Sequence, residues 1–404
     1  MKIIHTADWH IGKVLHKVSL RKEMEAFLDW LYDLIQEKEI DVLLISGDIF
    51  DSGNPSSGDR ALYYSFLARL MGLDIHVVIT GGNHDSIAML EAPAELLSSL
   101  DVTVVGGAKQ DLNDELIYIK TAKGEEVVIA AVPFLRTKDL RVLDKDASYK
   151  NRGEEMQESI RRHYHALADL CKKHYPKVTA IAMGHLYARG VSISDSEREI
   201  HVGNSAPITI DAFSDYYDYI ALGHIHRPQV IGENEMVRFS GSPIPLSFSE
   251  RDDQKSLLLI ELKDKTINPP IVIKIPLQRA LVRFSGTLDE VKQKLSSYDH
   301  QYALPSLIEL AIHEEQHNAL KILAREELTQ HYENHEKLKI VKSTISFEKG
   351  GLDTSDLFQT GTQVEDLVPL DLFKKKLELE ELDQEDFDSM VDLFKILLEE
   401  VYQK

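Results

Sequence analysis

The sequence predicts an α/β protein: a layered domain over residues 1–277, a small α+β domain over residues 278–350, and a linker with two C-terminal helices over residues 351–404. Three observations predict it. Short β-branched runs alternate with helical stretches up to about residue 277, the texture then shifts to a compact strand–helix–strand–helix–strand unit, and two amphipathic stripes close the chain. At 404 residues the chain is too long for one ordinary core, which agrees with two or three domains.

The strand candidates, in order, are KIIHTA, DVLLIS, IHVVIT, VTVVG, VVIAAVPF, TAIAMG and YIALG, then VRFSG, SLLLIEL and IVIKIPL. Between the first two, a helix from Arg21 to Glu39 places Met24, Phe27, Leu28, Leu31 and Leu34 on one face, the start of a βαβ unit. The second domain reads as strand, helix (Leu288 to Leu295), strand (SLIELAIH), helix and strand (LKIVKSTISFE). Gly350 to Gly361 reads as a polar, mildly acidic linker. Leu370, Phe373 and Leu377 mark one tail helix, and Phe387, Met390, Val391, Phe394, Leu397 and Val401 the other, with Asp383 placed to cap the second. Helices that short bury little between themselves, so a hairpin is expected that docks on a further apolar surface, of this chain or of a partner.

Hydrophobic residues at 43% and charged residues at 28% exclude a disordered or membrane-embedded chain. No apolar run approaches the ~20 residues that span a bilayer, and MKIIHTADWH leaves no room for a signal-peptide apolar region, so a cytoplasmic protein is expected. The single cysteine, Cys171, excludes an internal disulfide and reads as a packed thiol on a helix. A net charge of -21 argues against a freestanding nucleic-acid binder. Residues 351–404 carry 15 Asp plus Glu against 5 Lys, so about half of that excess belongs to the tail.

Five motifs carry the chemistry, each directly after an apolar strand, where neighbouring strand ends converge. They are Asp8-Trp9-His10, Gly47-Asp48, Gly82-Asn83-His84-Asp85, Gly184-His185 and Gly223-His224-Ile225-His226. They supply the carboxylates Asp8 and Asp48, the amide Asn83 and five imidazoles, a donor set suited to two borderline divalent cations. Asp48 is the natural bridge between two ions held roughly 3.5 to 4 Å apart. The single-residue spacing in Asp8-x-His10 and His224-x-His226 is expected to set both side chains of each pair on one side of an extended backbone. The glycines before Asp48, Asn83, His185 and His224 would let the chain approach the ions closely. Such a pair activates water for attack on a phosphoester, and His84 is the candidate acid for the leaving oxygen. Singly, Asp-x-His or Gly-Asp is common in structural turns, and the joint occurrence in this order decides the reading. Lys13, Lys17, Arg189 and Arg227 flank the motifs as candidate phosphate contacts. A helix from Leu62 to Leu70, with Leu62, Tyr63, Phe66, Leu67 and Leu70 on one face, and another at Ile87 to Leu100 fit either the domain's own core or an isologous dimer.

These motifs in this order resemble the calcineurin-like metallophosphoesterase superfamily. MKIIHTADWHIGK, LLISGDIFDSGNPS and GGNHD resemble, within it, the SbcD nuclease family, and the resemblance covers the whole chain. It implies an α/β/β/α sandwich carrying a small capping domain and C-terminal helices. It implies that Asp8, His10, Asp48 and His226 hold one Mn²⁺ and that Asp48, Asn83, His185 and His224 hold the other, with Mg²⁺ as the alternative ion, and that His84 acts on the leaving group or transition-state phosphate. It also implies a homodimer whose tail helices grip the coiled coil of an SbcC-like SMC-type ATPase, with exonuclease action from the 3′ side of duplex ends and nicking of single strands and hairpins. The arginine that follows Gly-Asp in the superfamily's protein phosphatases has no counterpart in Asp51-Ser52-Gly53, which counts against a phosphoprotein substrate. Related nucleases carry a His where this chain has Asp51, so that residue's role does not transfer. A small-nucleotide phosphatase would need neither added domain nor tail, and an inactive scaffold would not need all eight site residues.

Overall fold

The computed structural model describes residues 1–140, 149–198, 208–333 and 335–349, and in the tail residues 370, 373–374, 377 and 387–395. Two mixed sheets form the first 280 or so residues. In one, β1 (Lys2–Thr6), β4 (Val42–Ser46), β5 (His76–Thr80) and β6 (Val102–Val105) run parallel in that order. Antiparallel β13 (Ser256–Lys263) pairs the other side of β1 and itself carries β14 (Thr266–Ile267) and β15 (Ile271–Lys274). In the other sheet β8 (Glu126–Ala131), β9 (Thr179–His185), β10 (Tyr219–Gly223) and β12 (Asn234–Phe239) are parallel. Antiparallel β7 (Leu116–Lys120) and β11 (Gln229–Ile231) flank it. A short hairpin, β2 (Val14–Leu15) and β3 (Val18–Ser19), follows the first motif.

Both faces of each sheet are covered, which is why the strands read as continuous apolar runs rather than alternating ones. The two-residue period is visible in the packing instead. Ile3, Val42, Leu44 and Val78 meet Val127, Ile129, Ile181, Met183 and Ala221 of the second sheet in one apolar layer. Their neighbours Ile4, Leu43 and Ile45 point the other way, into a layer with α1 (Arg21–Lys38) and α2 (Ser57–Leu70). On the second sheet Ala180 and Ala182 pack with Tyr164, Leu167 and Cys171 of α5 (Tyr149–His174). The result is the expected α/β/β/α layering. Burial pushes the Cys171 thiol up to about 11, as fits a packed group.

Helix α1 buries Met24, Phe27, Leu28, Leu31, Leu34 and Ile35, the predicted stripe extended by one residue, and stops where Glu39 turns left-handed at φ 51°. Truncating one of these fully buried leucines to Ala costs about 2–5 kcal/mol. Helix α2 opens with a capping box, the Ser56 side chain accepting from Asp59 N while Asp59 accepts from Ser56 N. Its Tyr63, Phe66, Leu67 and Leu70 lie in the domain's own core, so most of the face considered for a dimer is spent within the chain. The stretch from Ile87 to Leu100 is two short helices, α3 (Ile87–Glu91) and α4 (Ala94–Ser98), not one, because Pro93 lacks the N–H that would continue the first. The strand at Leu116–Lys120 is not among the sequence candidates, since its outer position leaves it half-exposed and weakly patterned.

The chain divides into two units, one of Met1–Phe284, Tyr298–Leu310 and Thr329–Lys342, the other of Ser285–Ser297, Ala311–Leu328 and Ser343–Lys404. β16 (Leu281–Gly286), β17 (Ser306–Gln316) and β18 (Leu338–Lys349) form a three-stranded sheet with β17 central. In the second unit α6 (Leu288–Ser297) buries Leu288, Val291 and Leu295, and Glu314 accepts from Leu288 N at 2.9 Å. In the tail Phe373 and Phe394 stack with ring centroids 4.0 Å apart, and Leu377 and Val391 are buried. The predicted linker, Asp383, Leu397 and Val401 lie outside the described residues.

Candidate metal centre

β1, β4 and β5 are parallel neighbours in one sheet and β9 and β10 in the other, so five chain segments leave at C-terminal strand ends and carry the five motifs to one place. The approach is close. A side chain on Gly82 would stand 2.1 Å from Asp48 Oδ1, and one on Gly47, at φ +85°, 2.2 Å from His185 Nδ1.

The extended backbone expected for Asp8-x-His10 is not what forms. Asp8, His10 and Asp48 are left-handed at φ 54°, 46° and 50°, and His224 stands at φ 96°. The reason lies in the main chain: Asp8 N donates to Gly47 O and His10 N to Asp48 O at 3.0 Å each, which curls the first motif over the second, and His224 N donates to Asp8 Oδ1 at 2.8 Å. Each such residue costs on the order of 1–3 kcal/mol, and strain of this kind collects at functional sites.

All eight site residues come together. His10 Nε2 lies 3.2 Å from His226 Nε2 and 3.5 Å from Asp48 Oδ2. His185 Nε2 lies 3.2 Å from Asp48 Oδ2 and 3.0 Å from Asn83 Oδ1, and His224 Nδ1 lies 2.9 Å from the same amide oxygen. Three overlapping clusters of possible ligands result, Asp8–His10–His226, His10–Asp48–His84 and Asp8–Asp48–His185, with the ligand atoms of each within 4.8 Å of one another. Asp8, His10 and Asp48 each sit in two of them, and Asp48 is thus among the residues that a bridging role allows.

The donor set fits divalent cations on a second ground. Among the described residues Asp8 Oδ2 and His224 Nε2 are buried with no hydrogen-bond partner, an expensive condition unless something positive meets them. Burial, with the neighbouring Asp48 charge, raises the Asp8 carboxyl to about 7 although His185 opposes it. Burial works against charge on His185 too, but Asp48 and Asp8 outweigh it and raise that imidazole to about 9. Asp48 overcomes its own burial through His185 and stays well below the carboxylate range. His10 and His224 are lowered by burial and so are neutral, ligand-competent imidazoles. His84 stands half-buried at the rim, its Nδ1 2.8 Å from Asp51 O and its N–H donating to Asp48 Oδ1 at 2.9 Å.

Several supporting residues lie outside the candidates that the sequence singles out. Asp85 accepts N–H groups from Ile49 at 3.1 Å, Phe50 at 3.1 Å and Gly82 at 2.8 Å, tying the second motif to the third. Its place in Gly-Asn-His-Asp is the signal that could have found it. Asp51 lies 3.3 Å from His10 Nδ1 and 3.1 Å from Lys13 Nζ, and Ser46 O faces His185 Nδ1 at 2.9 Å. Ser196, Glu250 and Lys255 gather around His226 from positions without any motif. Of the candidate phosphate contacts, Lys13 is paired with Asp51, and Arg227 is held by Asp253 at 3.0 Å and Ser249 O at 2.6 Å. Lys17 and Arg189 are exposed.

The model of the family described as calcineurin-like phosphoesterase matches residues 1–228. The SbcD chain of the nuclease SbcCD from Escherichia coli (strain K12) is 31% identical over 407 residues, covering 98% of this chain and 98% of that protein. The SbcD chains of Rhodobacter capsulatus and Bacillus subtilis are 33% and 32% identical, covering 72% and 65% of this chain and 74% and 66% of their own lengths. Among the described residues no helix is long and apolar enough to cross a membrane.

Proposed function

The chain belongs to the calcineurin-like phosphoesterase family and, within it, to the SbcD nucleases, and from this premise we propose that it is the Mn-dependent DNA nuclease subunit of an SbcCD-type complex. The reading is of a 3′ to 5′ double-strand exonuclease and single-strand and hairpin endonuclease acting in recombination, replication and break processing. The observation that carries it is the convergence of two carboxylates, an amide and five imidazoles from five strand ends, with buried ligand atoms left unpartnered.

Asp8, His10, Asp48 and His226 would hold one Mn²⁺, and Asp48, Asn83, His185 and His224 the other. Bound there, the ions would lower the pKa of a shared water and neutralise charge on the attacking and leaving oxygens. The protein's own part is to fix the donors before substrate arrives, and His84, at the rim, is placed to meet the leaving oxygen or a phosphate oxygen. Lys17 and Arg189 remain the better candidates for DNA phosphates, because Lys13 and Arg227 already have carboxylate partners.

The partners would be DNA, an SbcC-like SMC-type ATPase and a second copy of this chain, in the cytoplasm. Tyr64, Met89, Pro93, Leu96 and Leu100 line an apolar groove beside α2 that suits the homodimer. Residues 1–277 would then be the nuclease domain, 278–350 the capping domain and 351–404 the partner-binding segment, whose acidity leaves much of the DNA grip to the ATPase. Assaying the chain with Mn²⁺ on hairpin DNA, a chromogenic diester and a phosphomonoester tests this. Cleavage of the hairpin is expected, and hydrolysis of the monoester alone would point to a small-substrate phosphatase.

A further inference from the structure

On the Nδ1 side of His226 lies a buried polar network that none of the five motifs contains. Ser196 Oγ stands 2.7 Å from His226 Nδ1 and 2.7 Å from Glu250 Oε1. Glu250 and Lys255 are both 0% exposed. Lys255 Nζ spends its three donors on Glu250 Oε2 at 2.6 Å, Ser242 Oγ at 3.0 Å and the main-chain carbonyl of His226 at 2.9 Å. Ser242 N reaches that same carbonyl at 3.1 Å, and Glu197 accepts His226 N. His226 is thus gripped at its N–H, its carbonyl and its ring.

The directions of these bonds follow from chemistry. A carboxylate paired with an ammonium only accepts, so the Ser196 hydroxyl donates to Glu250 and its oxygen accepts from His226 Nδ1–H. The proton then resides on Nδ1, and the lone pair of Nε2 faces the centre, 3.2 Å from His10 Nε2. His185 repeats the logic with a different acceptor, its Nδ1 facing Ser46 O at 2.9 Å. A buried ion pair is a poor device for stability, since an apolar replacement is often as good. A carboxylate that orients a ligating histidine is, by contrast, a recurrent device of metal sites.

We propose that Ser196 and Glu250, with Lys255 paired to Glu250, are positioning residues that fix the tautomer and orientation of His226 and so set the affinity of the ion site to which His226 contributes. The inference rests on the two-metal reading above. Its test is Mn²⁺ titration of the full chain by calorimetry and electron paramagnetic resonance, for wild type, Ser196→Ala, Ser196→Thr and Glu250→Gln. Ser196→Ala and Glu250→Gln are expected to weaken one of the two Mn²⁺ sites by about 10–100-fold and to leave the other unchanged. The resonance of an isolated Mn²⁺ should then replace that of a coupled pair at intermediate loading, and cleavage should recover at saturating Mn²⁺. Ser196→Thr, which keeps the hydroxyl, should behave as wild type. If Glu250→Gln unfolds by stranding Lys255, Ser196→Ala decides, because it leaves the Glu250–Lys255 pair intact. Two sites of wild-type affinity in Ser196→Ala overturn the proposal, and so does equal weakening of both sites with a lower Tm of the metal-free protein. A wild-type chain that binds no Mn²⁺ removes the two-metal reading itself, and the positioning role with it.

Discussion

The two sides of the centre are built by different means. His185 is set by main chain, its ring facing Ser46 O, and His224 by side chains of the donor set itself, its N–H pinned to Asp8 Oδ1 and its ring facing Asn83 Oδ1, which lies between the two imidazoles. His10 and His226 are set by side chains outside the donor set, through Asp51 and Lys13 on one and Ser196, Glu250 and Lys255 on the other. A main-chain acceptor comes with the strand and survives most substitutions. A side-chain acceptor can be removed by one. In the two-ion reading proposed above, the second side would therefore be where affinity can be tuned without disturbing the fold.

Asp48 belongs to both sides, and its loss should erase the difference between them. Asp48→Asn is expected to bind neither ion stably, and cleavage should fall on the order of 10³-fold or more, given that one lost electrostatic contact to a transition state already costs ~10²–10³. Equilibrium dialysis that returns two Mn²⁺ per chain at wild-type affinity would take Asp48 out of the bridging role. His84 belongs to neither side, so His84→Ala should retain both ions while cleavage drops about 10²-fold or more. A missing ion in that variant would make His84 a ligand, as its place in a cluster with His10 and Asp48 allows.

Asp51→Ala sharpens the comparison from the side-chain-held half. It should weaken Mn²⁺ binding by roughly tenfold at the His10 site and leave the His185 site as it was, which a two-site calorimetric fit would register. Equal effects at both sites would mean that the halves are not separable. Deleting residues 362 to 404 should touch neither half. Mn²⁺-dependent cutting of single-stranded DNA is expected to persist within about twofold, while copurification of an SMC-type ATPase is lost. Full partner binding by the truncated chain would sink the docking role.

What is legible in the sequence follows the same divide. The strand-end motifs announce Asp8, His10, Asp48, Asn83, His185, His224 and His226 because each sits directly after an apolar run and each glycine marks a close approach. The stripe on α1 is readable because a helix packed on a sheet needs 3.6-residue spacing. The backbone of Asp8 and His10 departs from the extended form expected of it, since residue spacing cannot reveal that Gly47 O and Asp48 O curl the motif into left-handed φ. Ser196 and Glu250 are invisible because they are separated by 54 residues and meet only once β10 and the segment after β12 are folded. Nor does α2 announce from its stripe alone that the core of its own domain takes Tyr63, Phe66 and Leu67.

The central claim, two ions sharing Asp48, is tested most directly by Mn²⁺ anomalous diffraction from crystals of the full chain. Two peaks are expected roughly 3.5–4 Å apart, with Asp48 between them, Asp8, His10 and His226 around one, and Asn83, His185 and His224 around the other. A single peak, or two that Asp48 does not join, would contradict the account.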